Sequence, residues 1–283
     1  MLELARGLTP VAISALAELE ARTLAADGGR LKLEWGVLHA RTGRDVEDLL
    51  WWDGDRLLGY AGLYAFGLPT VELAGMVDPA ARRRGIATAL LDAALPICHD
   101  RGYRQVLLVT PRASVGGQTL ASGRGAVLEH SEHGLVLVGP PTDGPSDPRI
   151  SLRPATVADL DELARLFAAA FGWAHPDLAQ RLAAESGDSE RTLMIERAGT
   201  TVGTVRLTRE GTVGGVYGFA VDPAWQGRGI GRDVLRQVCR QLRAAGADRV
   251  GLEVSVDNER ALGLYTSIGF SLASTEDYYA LAN

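Results

Sequence analysis

Two stretches of this chain are copies of one pattern: VDPAARRRGIATALL, from Val77 to Leu91, and VDPAWQGRGIGRDVL, from Val221 to Leu235. A constant offset of 144 positions pairs Gly85 with Gly229, Gly102 with Gly246 and Gly125 with Gly269, with no gap between Val77 and Ala126. Thirteen of those fifty positions are identical, and Gly59 with Gly203 carries the register upstream. A period of this length is a duplicated domain, because stacked solenoid units recur at about 20–50 residues. Each copy then has about 140 residues, enough to bury a core of its own.

The apolar pattern repeats with the glycines. Ile230, Val234, Leu235, Val238, Cys239 and Leu242 form a helical stripe, and the same offset returns Ile86, Leu90, Leu91, Ala94, Leu95 and Cys98. Pro96 predicts a kink or an early end in the first of these helices. In the second copy a strand near 150–153 leads to a helix from about Val157 to Phe171, with Thr156 as N-cap and Asp159 in the first turn. Strands follow near Thr192–Glu196, Thr201–Thr208 and Val213–Val221, then the glycine-led helix, a strand at Arg249–Ser255, a helix at Asn258–Ser267 and terminal strands. Leu57–Tyr64, Val71–Val77, Gln105–Thr110 and Val127–Val138 supply the strands of the first copy. The fold class is α/β, two tandem domains that each set helices around a central mixed sheet. GPPTDGPSDPR, Gly139 to Arg149, has no apolar period and reads as a semi-rigid linker. That places the domains at residues 1–139 and 150–283, with the linker at 140–149.

Charge and composition exclude several functions. A net charge of −6 opposes a general nucleic-acid binder, which needs clustered cations. Lys32 is the only lysine, so a P-loop lysine or a Schiff-base lysine is excluded from nearly the whole chain. Cys98 and Cys239 fall on apolar helical stripes and read as buried thiols. His130 and His133 lack further ligands nearby and read as surface polar residues, so no metal site is expected. No long apolar run suggests a membrane span, and no basic-then-apolar leader follows Met1, which makes the cytoplasm the expected location. Monomer and homodimer both fit.

What remains is the loop itself. A helix starts with unsatisfied N–H groups and a partial positive charge, and glycines ahead of it let backbone approach an anion closely. Gln226, Gly227, Arg228, Gly229, Ile230 and Gly231 therefore form a candidate cradle for a phosphate or diphosphate. A dinucleotide-binding site is the rival, with Gly227 and Gly229 opening a helix and Glu253 ending the next strand. Against it stand the spacing of Gly231, the five residues Asp222–Gln226 between strand and loop, and the helix and hairpin that come first.

Val221-Asp222-Pro223, Gln226-x-x-Gly229-x-Gly231 and Asn258-x-x-Ala261-x-x-x-Tyr265-x-x-x-Gly269-Phe270 together resemble the GNAT superfamily of N-acetyltransferases. Arg82-x-x-Gly85-x-Ala87, with Arg84 inside it, satisfies the loop pattern in the first copy, so the chain is similar to tandem GNAT proteins such as mycothiol synthase. The resemblance implies acetyl-coenzyme A as donor, its diphosphate held by loop amides, and a small amine or a peptide amino terminus as acceptor. It implies that backbone of Phe219, Ala220 and Val221 engages the cofactor, that Asn258 contacts it, and that Tyr265 is the general acid. A phenol with an ordinary pKa of about 10 is protonated at neutral pH and can donate to a thiolate. Glu253, twelve residues before Tyr265, is similar in placement to the strand glutamate that serves as base in ribosomal-protein N-terminal acetyltransferases; an exposed structural carboxylate is the competing reading. In the first copy Ala121, Ser114 and Val109 replace Tyr265, Asn258 and Glu253, which predicts a half that keeps the cradle without catalysing. For mycothiol synthase the resemblance implies a carboxylate near Gly214 or Gly215, and the glycines depart from it. A non-catalytic acyl-coenzyme A sensor is the alternative from another class.

Overall fold

The computed structural model describes residues 1–66, 69–172, 178–185 and 190–281. The first copy builds β1 (Leu2–Ala5), α1 (Pro10–Asp27), α2 (Trp35–His39), β2 (Asp48–Asp53), β3 (Arg56–Tyr64), β4 (Thr70–Val77), α3 (Ile86–Asp100), β5 (Gln105–Pro111), α4 (Val115–Gly123) and β6 (Val127–Val138). The second builds β7 (Ile150–Pro154), α5 (Leu160–Phe171), α6 (Leu178–Ala184), β8 (Glu190–Arg197), β9 (Thr200–Glu210), β10 (Val213–Val221), α7 (Ile230–Ala244), β11 (Arg249–Ser255), α8 (Glu259–Ile268) and β12 (Ser271–Leu281).

The compact units divide at other positions than the linker suggests. One unit takes the chain through Glu132 and then everything from Ala273 onward; the other runs His133–Leu272. Thus β12 from Ala273 onward joins the first unit, and the second half of β6, from His133, joins the second. The cores follow the same division: Tyr278 and Leu281 of β12 belong to core clusters of the first unit, while Leu135 and Leu137 of β6 belong to the core of the second. Segment 139–149 accordingly connects two strands of the second unit. It is seated on α7, where Asp233 accepts the Asp147 N–H at 2.7 Å and Arg236 donates to the Thr142 carbonyl at 3.0 Å.

In the first unit the strand order is β1-β2-β3-β4-β5-β12, antiparallel except for the parallel pair β4/β5. The α3 stripe Ile86, Leu90, Leu91, Ala94 and Cys98 is buried on one face. Leu16 and Leu19 of α1 pack with Tyr60 and Tyr278 on the other. Pro96 does not shorten α3, which continues to Asp100. Its ring lies on the exposed side, where the carbonyl it cannot serve is open to solvent. His130 stacks on buried Tyr278 with ring centroids 4.2 Å apart, so it is not the free surface residue expected from its spacing.

The second unit orders its strands β6-β11-β10-β9-β8-β7, again with one parallel pair, β10/β11. The α7 stripe packs on one face with Val205, Leu207, Val216, Val250 and Leu252. Leu163, Leu166 and Phe167 of α5 cover Met194 on the other. A short 3-10 turn precedes α5, and there the Asp159 carboxylate accepts the Thr156 N–H at 2.8 Å. Both cysteines are buried and free, and burial pushes their thiols up to about 11 for Cys98 and about 12 for Cys239.

Candidate active site

The site of the second unit begins with a strand defect. Between Tyr217 and Ala220 the β9/β10 register slips by one residue, and Gly218 at the slip has φ +52°. This is a β-bulge, which bends a strand and increases its twist. On its other edge β10 pairs with β11 over only three positions, ending at Gly215 with Gly251. Phe219, Ala220 and Val221 thus lie beyond the ladder, with an edge available to a ligand backbone. β4 has no such slip, and its parallel pairing with β5 runs for five positions, through Ala74 with Val109.

After β10 the chain turns through Asp222. Its carboxylate accepts the Ala224 N–H at 2.8 Å and an Arg165 N–H at 2.7 Å, and those contacts hold it below the usual carboxylate range. Gln226 then braces the loop, donating to the Val221 carbonyl at 2.9 Å while accepting from Arg260 of α8 at 3.0 Å. Gly229 is the N-cap of α7, with φ 79° in the left-handed region. That conformation aims the first helical N–H groups outward, and a Cβ added at Gly227 or Gly229 would meet nothing within 4 Å. The loop face is open, positive at the helix end, and flanked by the exposed Arg228, whose guanidinium lies 4.8 Å from the Trp225 ring. A diphosphate fits this cradle on charge and on access. Gly231 tightens the next turn, with its Cβ direction 3.4 Å from Leu264 of α8 and 3.7 Å from Phe219.

Helix α8 is capped by Asn258, whose side chain accepts the Ala261 N–H at 3.0 Å. Tyr265 on that helix is only 8% exposed and packs edge-on to Phe270. Its hydroxyl makes no hydrogen bond among the described residues, and burial alone pushes it up to about 12. Glu253 lies on β11 between Leu252 and Val254, both of which face the α7 core, so its side chain faces the opposite side of the sheet.

The first unit repeats the cradle closely. Arg82 donates to the Val77 carbonyl at 3.2 Å, as Gln226 does to Val221, and Gly85 caps α3 at φ 82°. Arg83 stands where the second loop has Gly227 and keeps its positive φ, 61°, a conformation costing about 1–2 kcal/mol for a side chain. Arg84 and Ala87 occupy the positions of Arg228 and Gly231. Beyond the cradle the units part: Ala121 is fully buried, Ser114 only caps α4, and Val109 is core. By strand register Glu72, opposite Leu107, takes the place of Gly215 opposite Gly251. Sequence reading missed the bulge, which leaves no mark but one extra residue in β10, and missed the row of Thr192, Arg206 and Tyr217, which only strand register brings together. Among the described residues no cluster of His, Cys, Asp and Glu could hold a metal ion.

In the second unit the parallel pair β10/β11 parts beside a glycine-capped helix, and the first unit repeats the glycine-capped helix without the parting. A family model described as the acetyltransferase (GNAT) family matches residues 17–115 and 160–270. A mycothiol acetyltransferase of Thermobispora bispora is 32% identical over 95% of this chain and 94% of its own length; one of Rhodococcus jostii is 33% identical over 95% and 94%. A GCN5-related N-acetyltransferase of Sphaerobacter thermophilus shares the fold with a TM-score of 0.81 at 21% identity, covering 99% of this chain and 95% of that one. A tandem GNAT protein from the clavulanic acid pathway gives 0.68 at 17%, covering 99% and 98%. The chain belongs to the GNAT family of acetyltransferases. It is an N-acetyltransferase that uses acetyl-coenzyme A as its acetyl donor, and no helix among the described residues is long and apolar enough to cross a membrane.

Proposed function

We propose that the second unit carries out the transfer, to the primary amine of a small molecule, and that the first unit keeps a cradle without catalysing. Acetyl-coenzyme A supplies the acetyl group as a thioester. The amides from Gln226 to Gly231 hold its diphosphate, with Arg228 beside them, and the edge of Phe219, Ala220 and Val221 aligns its acyl arm. Asn258 fixes the start of α8, and α8 presents Tyr265. The observation that carries the reading is Tyr265, a largely buried side chain whose hydroxyl stays protonated at physiological pH and makes no hydrogen bond among the described residues. It is suited to give its proton to a departing thiolate. Glu253 takes the proton that an incoming ammonium must lose, directly or through one water, since amines are mostly protonated at pH 7.

In the first unit Arg82, Arg84, Gly85 and Ala87 preserve the cradle, whereas Ala121 offers no proton. The curated relatives carry the name mycothiol acetyltransferase, which supports a small amine as acceptor. Gly215 supplies no carboxylate on β10, and a Cβ there would lie 2.4 Å from the Tyr217 ring, which departs from the carboxylate that the resemblance to mycothiol synthase implies. Changing Tyr265 to Phe is expected to lower kcat by about 10²–10⁴ while calorimetric binding of acetyl-coenzyme A persists. Unaltered turnover would remove Tyr265 from the mechanism.

A further inference from the structure

We infer that the amine accepted by the second unit also carries a carboxylate, which Arg206 binds, so that the acceptor is of the amino-acid class. The inference rests on the acetyltransferase reading of this unit and concerns the face of the sheet covered by α5. Strand register sets Thr192, Arg206 and Tyr217 side by side across β8, β9 and β10. Gly215 faces Gly251, and two residues further along each strand come Tyr217 and Glu253. All point to one side: a Cβ on Gly215 would meet both Thr208 Oγ1 and Tyr217 Cε2 at 2.4 Å. Glu253 projects away from the α7 core, as described above. Phe167 of α5 closes this side, its ring 3.0 Å from a Cβ direction at Gly218.

Arg206 is the anomaly in this row. Its side chain is 24% exposed, yet none of its donors makes a hydrogen bond among the described residues, and Nε is fully buried without one. The guanidinium rests over the Tyr217 ring at 5.5 Å, which fixes its plane. Its one ion pair is a 3.5 Å approach to the half-exposed Glu190, a contact worth little in solvent. A guanidinium with a buried, unpartnered Nε and outer nitrogens open to solvent can take an oxygen-rich partner, and a carboxylate matches its fork geometry. Arg206 and Glu253 lie on strands two places apart, at least about 10 Å between backbones, since β10 and β11 part before Glu253. Two long side chains leaning inward across that gap fit a compact molecule with an amine at one end and an acid at the other. Gly215, in place of the first unit's Glu72, removes a carboxylate that would repel such an acid.

The test measures thiol release from acetyl-coenzyme A by the full chain, with each of the twenty amino acids and with its carboxamide, which keeps the amine and removes the charge. At least one amino acid should exceed its carboxamide by about 10- to 100-fold in kcat/KM, the worth of a hydrogen-bonded charge. Arg206→Gln should erase that preference through a rise in KM for the acid, leaving carboxamide rates unchanged. Equal use of acid and carboxamide by the unaltered chain, turnover confined to amines without an acid group, or a folded variant that loses both rates together would each overturn the inference. Thiol release with no amine of any kind would instead remove the acetyltransferase reading beneath it. The comparison within the unaltered chain holds even if Arg206→Gln fails to fold.

Discussion

Tyr265 shows how one residue ties stability to chemistry. Burial raises its phenol to about 12, so the folded state favours the protonated form more than the unfolded chain does. That contribution is whole below the unfolded value of about 10, and it is lost as pH climbs from there toward 12. The kcat profile should therefore show no alkaline loss from Tyr265 up to pH 10. An alkaline limb centred below pH 9.5 that vanishes in Tyr265→Phe would show the phenol to be far less buried in the working enzyme. The placement of Tyr265 on α8, of Asn258 at its cap and of the Gln226 loop ahead of α7 was legible in sequence, because each lies at a fixed spacing along one helix or its cap. Arg206 was not, because its neighbours Tyr217 and Thr192 are distant in sequence and only strand register brings them together.

At the scale of elements, most boundaries were already legible: β10 and β11 begin and end at the residues their apolar patterns indicate. The bulge was not, although it occurs only in the unit whose parallel pair is the shorter. Its support can be tested at two glycines in equivalent positions. A Cβ on Gly203 would lie 2.3 Å from the Ala220 carbonyl oxygen, which is backbone of the bulged strand and cannot move aside. On Gly59 it would meet Ile86 Cγ2 at 2.6 Å, a side-chain end that can rotate. Gly203→Ala should destabilise by about 2–3 kcal/mol and Gly59→Ala by about 1 kcal/mol, the range for forcing atoms into packed space, read from chemical denaturation. Gly203→Ala should also weaken acetyl-coenzyme A binding, because it pushes β9 away from β10 beside the edge of Phe219 and Val221 that is proposed to align the acyl arm. The reverse order of stabilities would mean that the bulge yields easily and does not set the site.

For the whole molecule, the duplication was plain in sequence and the crossing of β12 and the second half of β6 into the opposite unit was invisible. Ungapped identity stops at Ala126 and Phe270, just before the strands that carry this crossing, and two apolar strands of similar pattern carry no label saying which core they fill. Leu135 and Leu137 are at most 2% exposed and belong to the core of the second unit, so a fragment cut at the apparent linker lacks part of that core. A chain of residues 150–283 loses both leucines, together with segment 139–149 that satisfies Asp233 and Arg236 on α7. Each buried leucine contributes about 1.5–3 kcal/mol, and an uncompensated buried charge adds to the loss, against a whole-domain stability of about 5–15 kcal/mol. Residues 133–272 should therefore give a cooperative thermal transition and bind acetyl-coenzyme A, whereas residues 150–283 should melt without cooperativity or aggregate. If the two fragments melt alike, β6 contributes little to the second unit, and the last strand of the chain must be able to serve the copy in which it is encoded.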